Sequence, residues 1–236
     1  MSRLAESLDD WVTGAQDPAW LERRWQSLCG SLSCPQQAAA DVWQLIERHY
    51  SEPHRHYHNL DHVAALLRHA AVHRAHLLQF HVVELAIWFH DIIYDTRSGG
   101  NEVASAALAI AAMQVMQVDP DIVSQVERCI LATIGHAVTD TDTDTAVPDL
   151  PLFLDFDLAI LGAPAEHYRH YREAIRKEYA WVPEQDYRAG RAGVLRRLLE
   201  RPALYFTPWM AARLEAPARD NIESELLLLG PYPTSR

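Results

Sequence analysis

RHYHNLDH, residues 55–62, and WFHD, residues 88–91, decide how this chain is read. The second lies in VVELAIWFHDIIY (82–94), which is apolar on nearly every side if helical and is therefore expected to be a buried core helix. An imidazole and a carboxylate in such a helix, His90 and Asp91, are costly to bury unless a partner or a metal ion satisfies both. His58 and His62 stand one helical turn apart and face the same point if a helix has begun by then. Nine of the 13 histidines fall between His54 and His90, so the enrichment is local. Among them His69, His73 and His76 follow a turn-like spacing that would suit a metal patch, an exposed helix face being the favoured reading, and His54 and His56 are expected in a loop.

Outward from this stretch the chain reads as helices. Asp17 and Pro18 look like the N-cap and first residue of a helix that Gly30 ends, and Pro35 opens a second reaching about Tyr50. A third is expected from about Asn59 to Leu78 and the core helix from about Phe80 to Tyr94. Asn101 is expected to cap an Ala-rich helix to about Met116, and Asp119 and Pro120 to start one ending near His136. VTDTDTDTAVPD (138–149) reads as a solvated loop. Its Asp140, Asp142 and Asp144 copy the first positions of a calcium loop, but Thr145 and Pro151 stand where Gly and Glu are needed. LPLFLDFDLAILG (150–162) follows, with Asp155 and Asp157 roughly 200° apart around a helix, so that both cannot face one site. Three further helices close the chain, the first being the Arg- and Tyr-rich AEHYRHYREAIRKEYA.

Composition agrees. With 236 residues, 49% of them hydrophobic, and Ala, Leu, Glu and Arg prominent, the chain is expected to be all-α, a single helical domain over residues 1–236. A net charge of −11 argues against general nucleic-acid or anionic-membrane binding but leaves room for a small phosphorylated ligand held by local cations. Arg55, three residues before His58, and Arg176 or Lys177 in IRKEY are the candidate cations, with Arg able to fork onto two phosphate oxygens. The alternative for Arg169, Arg172, Arg176 and Lys177 is a solvated face paired with Glu173 and Glu178. Cys29, Cys34 and Cys129 lack metal-ligand spacing and are expected to be reduced thiols of a cytoplasmic protein. The acidic N-terminus has no signal-peptide pattern, and no apolar run has the length of a membrane span.

The ordered set of His, His-Asp and a distant Asp in an apolar helix resembles the HD superfamily of metal-dependent phosphohydrolases. YHNLDHV, AIWFHDIIYD, NEVASA, DFDLAILG and IRKEY together look like a bacterial group of HD phosphohydrolases, over roughly residues 40–225. YHNLDH is also similar to the YHNxxH of cyclic-nucleotide phosphodiesterases, although HDIIYDTRS lacks the later His and Gly of their pattern. The resemblance implies a helical HD-type fold and a divalent ion (Mn, Mg, Fe, Ni, Co or Zn; one or two) held by His62, His90, Asp91 and Asp157. Asp157 is preferred over Asp155 because the distal Asp of the family precedes an apolar residue. His58 matches the phosphodiesterase His that protonates the leaving group, and Asp91 is placed to bridge a second ion. Glu102 and His136 are candidates to help hold that ion or a water, against capping or core hydrogen-bonding roles. The implied activity is hydrolysis of a small phosphate ester, nucleotides included. A di-iron HD-type oxygenase and a non-catalytic nucleotide sensor are the alternatives.

Overall fold

The computed structural model describes residues 18–138 and 147–230, so the aspartates of the calcium-like spacing lie outside the described residues. Among those described there are ten α-helices and no strand. The chain divides into two compact units, Met1–Phe156 and Asp157–Arg236. The dividing point falls inside a helix, Leu150–Leu158, so Asp157 directly continues the helix that carries Phe153 and Phe156.

In the first unit α1 (Pro18–Ser31) and α2 (Gln36–Tyr50) pack together. Gly30 is inside α1 rather than beyond it, and the left-handed residue that turns the chain is Ser33, with φ 57°. α3 (Leu60–Val72) is shorter than expected and gives way to a 3₁₀ turn, Arg74–His76. Asn59 starts it, its side chain accepting from the Asp61 N–H, as an N-cap should.

α4 (Phe80–Phe89) packs against α3, α5 (Asn101–Val115) and α6 (Pro120–Ala132), which is why nearly all its surface is apolar. Its sole buried acid, Glu84, is met by Arg24 from α1. Asp149 accepts from the Leu78 and Gln79 N–H groups at its entrance, at 3.0 and 2.5 Å.

The core helix ends earlier than the sequence predicts. His90 is its C-cap, and Asp91 lies in the turn beyond, so neither must be accommodated on an apolar helix face. Ser105 of α5 fixes the segment that follows by bonding both the N–H and the carbonyl of Ile93. Asn101 is inside α5, not its cap. Its amide instead accepts from the Asp95 N–H and donates to the Asp95 carbonyl, closing the DTRSGG loop. α6 stops at Ala132 because the Thr133 hydroxyl donates back to the Ile130 carbonyl, and His136 follows with φ 43°. α7 (Leu150–Leu158) then brings Phe153 and Phe156 into the core.

In the second unit a 3₁₀ turn, Ala159–Gly162, packs on α8 (Ala165–Glu178) and α10 (Pro208–Leu229), and α9 (Glu184–Leu199) packs on α10. Gly162 has no room for a side chain, since a Cβ there would lie 2.8 Å from Leu214 Cβ and 2.9 Å from its carbonyl. Glu225, fully buried, accepts a bidentate pair from Arg191 at 2.8 and 3.1 Å and a bond from the Tyr168 hydroxyl. Burial and the Glu225 charge together push the Tyr168 hydroxyl far above the ordinary tyrosine range.

Candidate metal centre

His62 comes from the first turn of α3 and His90 from the end of α4, and their Nε2 atoms stand 3.1 Å apart. Asp157, one residue from the end of α7, completes a group of three whose ligand atoms all lie within 4.8 Å of one another. The Asp91 Oδ2 faces the same point, 3.1 Å from His90 Nε2 and 3.7 Å from His62 Nε2. For scale, two nitrogens bound tetrahedrally to one ion at about 2.0–2.1 Å stand roughly 3.3 Å apart.

Hydrogen bonding explains why a cation suits this point. His90 Nδ1 lies 3.0 Å from the Ile87 carbonyl, which can only accept, so Nδ1 carries the proton and Nε2 of the neutral ring presents a lone pair. An ionised Asp91 oxygen is also an acceptor only. Where His90 is 1% exposed and its Nε2 stands 3.1 Å from that oxygen, the pair calls for positive charge, carried either by a second ring proton on His90 or by a cation. An ion would supply it, and a backbone carbonyl behind the ligating ring is the usual way such an imidazole is oriented. The residues present therefore fit a divalent ion.

The group is graded from inside to outside. The side chains of His62 and His90 are 2% and 1% exposed, whereas those of Asp91 and His58 are 18% and 20% exposed. His58 Nε2 is 4.0 Å from Asp91 Oδ2, one turn before His62 and nearer solvent. Its ring lies on Tyr94 with centroids 4.1 Å apart and planes 28° from parallel, and meets Tyr57 edge-on at 5.0 Å. The sequence motifs single out neither tyrosine. Their positions, beside His58 and three residues after Asp91, were the available signal.

Other expected site residues are placed differently. Arg55 does not offer its guanidinium to a ligand: its side chain is fully buried and four of its donor contacts end on Glu52 and on the carbonyls of His58, Asp91 and Ile92. Arg176 is likewise engaged, donating to Glu184 and to the Tyr179 and Val182 carbonyls, where it closes the C-terminal end of α8. Glu102 is half-buried in the first turn of α5 and His136 half-buried in the turn after α6; neither belongs to the three-residue group. Asp155 is fully buried on α7, two residues from Asp157.

The second run of histidines is not an exposed face. His73 is buried, and both His69 and His73 lie nearly parallel to the Phe156 ring, at 5.9 and 5.8 Å. Only His76 of the three is exposed. His54 donates from Nε2 to the Tyr94 carbonyl at 2.8 Å, a second tie between the loop before α3 and the segment after α4.

Compared with protein-family models, with curated proteins and with solved structures, the chain matches none of them. The site therefore rests on its own geometry. No helix among the described residues is long and apolar enough to cross a membrane.

Proposed function

We propose that this protein is a metal-dependent phosphohydrolase of the HD type acting on a small phosphate ester, with nucleotides among the candidates. The observation that carries the reading is the convergence of His62, His90 and Asp157 within 4.8 Å, with the Asp91 carboxylate against the same imidazoles and His58 at the open side. The ordered resemblance to the HD superfamily supports it. A bound divalent ion supplies a Lewis acid that makes water a usable nucleophile at neutral pH and offsets charge on a phosphoryl oxygen. Imidazole and carboxylate ligands suit several ions, so Mn, Mg, Fe, Ni, Co and Zn all belong in the test.

The chain's own residues have separate tasks in this reading. His62, His90 and Asp157 would hold the ion, with Asp91 a further ligand for it or for a second one. His58, displaced toward solvent and held flat on Tyr94, hands a proton to the departing oxygen. Arg55 and Arg176 are committed to the fold, so neither is the phosphate cation in this reading. A cytoplasmic setting belongs to this reading and is supported by the three free thiols; burial pushes Cys29 up to about 12, which keeps that thiol protonated.

The test is a panel of phosphate monoesters, diesters and nucleotides with the purified protein, with and without each ion. Metal-dependent release of phosphate or alcohol is expected, and His58→Ala should retain bound metal while losing about 10²–10⁴-fold in rate on alkyl or nucleotide esters. Loss should be much smaller on p-nitrophenyl phosphate, whose phenolate departs without a proton. Binding without turnover across the panel would make the protein a sensor. Tightly bound iron with visible absorbance and oxygen uptake would make it an oxygenase.

A further inference from the structure

We infer that Arg55 is the positioning residue of this centre: a buried guanidinium that sets the spacing between the His58–His62 turn and the His90–Asp91 turn. Its Nη1 group alone spans the two, donating to the His58 carbonyl at 3.0 Å and to the Asp91 carbonyl at 2.7 Å. Nη2 donates to the next carbonyl, Ile92, at 2.8 Å, and Nε to Glu52 at 2.9 Å. The plane is enclosed by rings, with Cζ 5.0 Å from the Tyr50 centroid and 5.6 Å from that of Tyr94, the tyrosine on which His58 lies.

These contacts have a direction. Of the acceptors Glu52, His58, Asp91 and Ile92, the last three are met at their backbone carbonyls, and two of those belong to residues of the centre itself, 33 positions apart in the chain. A buried arginine whose role was only to neutralise Glu52 would not need them. A buried charge is also an expensive filler unless its donors are satisfied, so replacing it with an apolar residue is not equivalent in geometry even where it is tolerable in stability. The planar fork delivers donors on three nitrogens at fixed angles, and a lysine has one nitrogen. Arg55 therefore fixes where the Asp91 and His58 main chains stand, while touching neither an ion nor a substrate.

The consequence is measurable without turnover. The inference rests on the proposed metal centre for one readout, cobalt binding, and is independent of it for the other, the His58 ring. Arg55→Lys keeps the positive charge between the two tyrosines, and Arg55→Met keeps much of the volume. In the full-length protein both are expected to weaken Co²⁺ binding by about 10–100-fold, the usual effect of losing an outer support of a metal site. In the metal-free protein the His58 ring protons, shifted upfield by the Tyr94 ring, should move toward free-histidine values in both variants.

Arg55→Lys is expected to retain a near-native melting temperature, which separates positioning from folding; should Arg55→Met fail to fold, the lysine variant decides. If a folded variant keeps wild-type cobalt affinity and an unmoved His58 signal while only its melting temperature falls, Arg55 is a fold residue and the inference is wrong. If the wild type itself takes up no cobalt, the metal reading fails, and the His58 ring shift alone decides the role of Arg55.

Discussion

Asp155 and Asp157 occupy one helix in opposite settings, the first fully buried and the second half-buried beside His62 and His90. Asp157→Ala should therefore abolish Co²⁺ uptake with little change in melting temperature. Asp155→Ala should do the reverse, lowering stability by about 1–3 kcal/mol, as loss of one member of a buried polar set does. Titration with cobalt and thermal melts of both variants check this, and interchange of the two phenotypes would move the ligand to Asp155. At this scale much of the centre is legible in the sequence, because a His-Asp pair inside an apolar run must be satisfied by something. Arg55 is misread for a physical reason: a cation three residues before His58 suggests a phosphate anchor, and nothing local reveals that Asp91 and Ile92 carbonyls stand across from it.

Helices are legible where side chains signal their ends and obscure where the signal comes from elsewhere in the chain. Asn59 and Asp119 stand where the sequence predicts the starts of α3 and α6, and each caps its helix by accepting from the N–H two residues on. The early end of α4 depends on Ser105 and Arg55, both remote in sequence, so the apolar run continues past the helix that it builds. Asn59→Ala should destabilise by about 0.5–2 kcal/mol through loss of the cap and, because it loosens the turn carrying His62, weaken metal binding too. Two glycines give opposite expectations in the second unit. Gly162→Ala forces a Cβ against the Leu214 backbone and should destabilise by about 1–3 kcal/mol. Gly190→Ala, in mid-helix with nothing within 4 Å, should stabilise by about 0.5–1 kcal/mol. Chemical denaturation of the two variants reads both signs.

For the whole molecule, acid sensitivity follows from histidines that fold in their neutral form. Burial against Phe156, with His73 and Arg68 adding to it, pushes His69 from 6.5 down to about 4. The unfolded chain then takes up a proton that the folded one refuses, so stability present above about pH 6.5 is lost as pH falls toward about 4. His49 and His81, lowered mainly by burial, act in the same direction. Glu84 acts oppositely: burial raises it despite Arg24, and the resulting penalty at neutral pH fades as acid protonates it. Melting temperatures across this range should fall less steeply for His69→Gln than for wild type; parallel curves would show that His69 contributes nothing. The packing of α1, α2 and α4 has a different consequence, an optical one. Trp88 meets Trp25 and Trp43 edge-on at 5.6 and 5.9 Å, and all three indoles are buried. Such a trio should emit in the blue and couple excitonically in circular dichroism, whereas the half-exposed Trp181 should emit to the red. With Trp88 two residues before His90, the same chromophores offer a label-free signal for cations whose d electrons quench fluorescence.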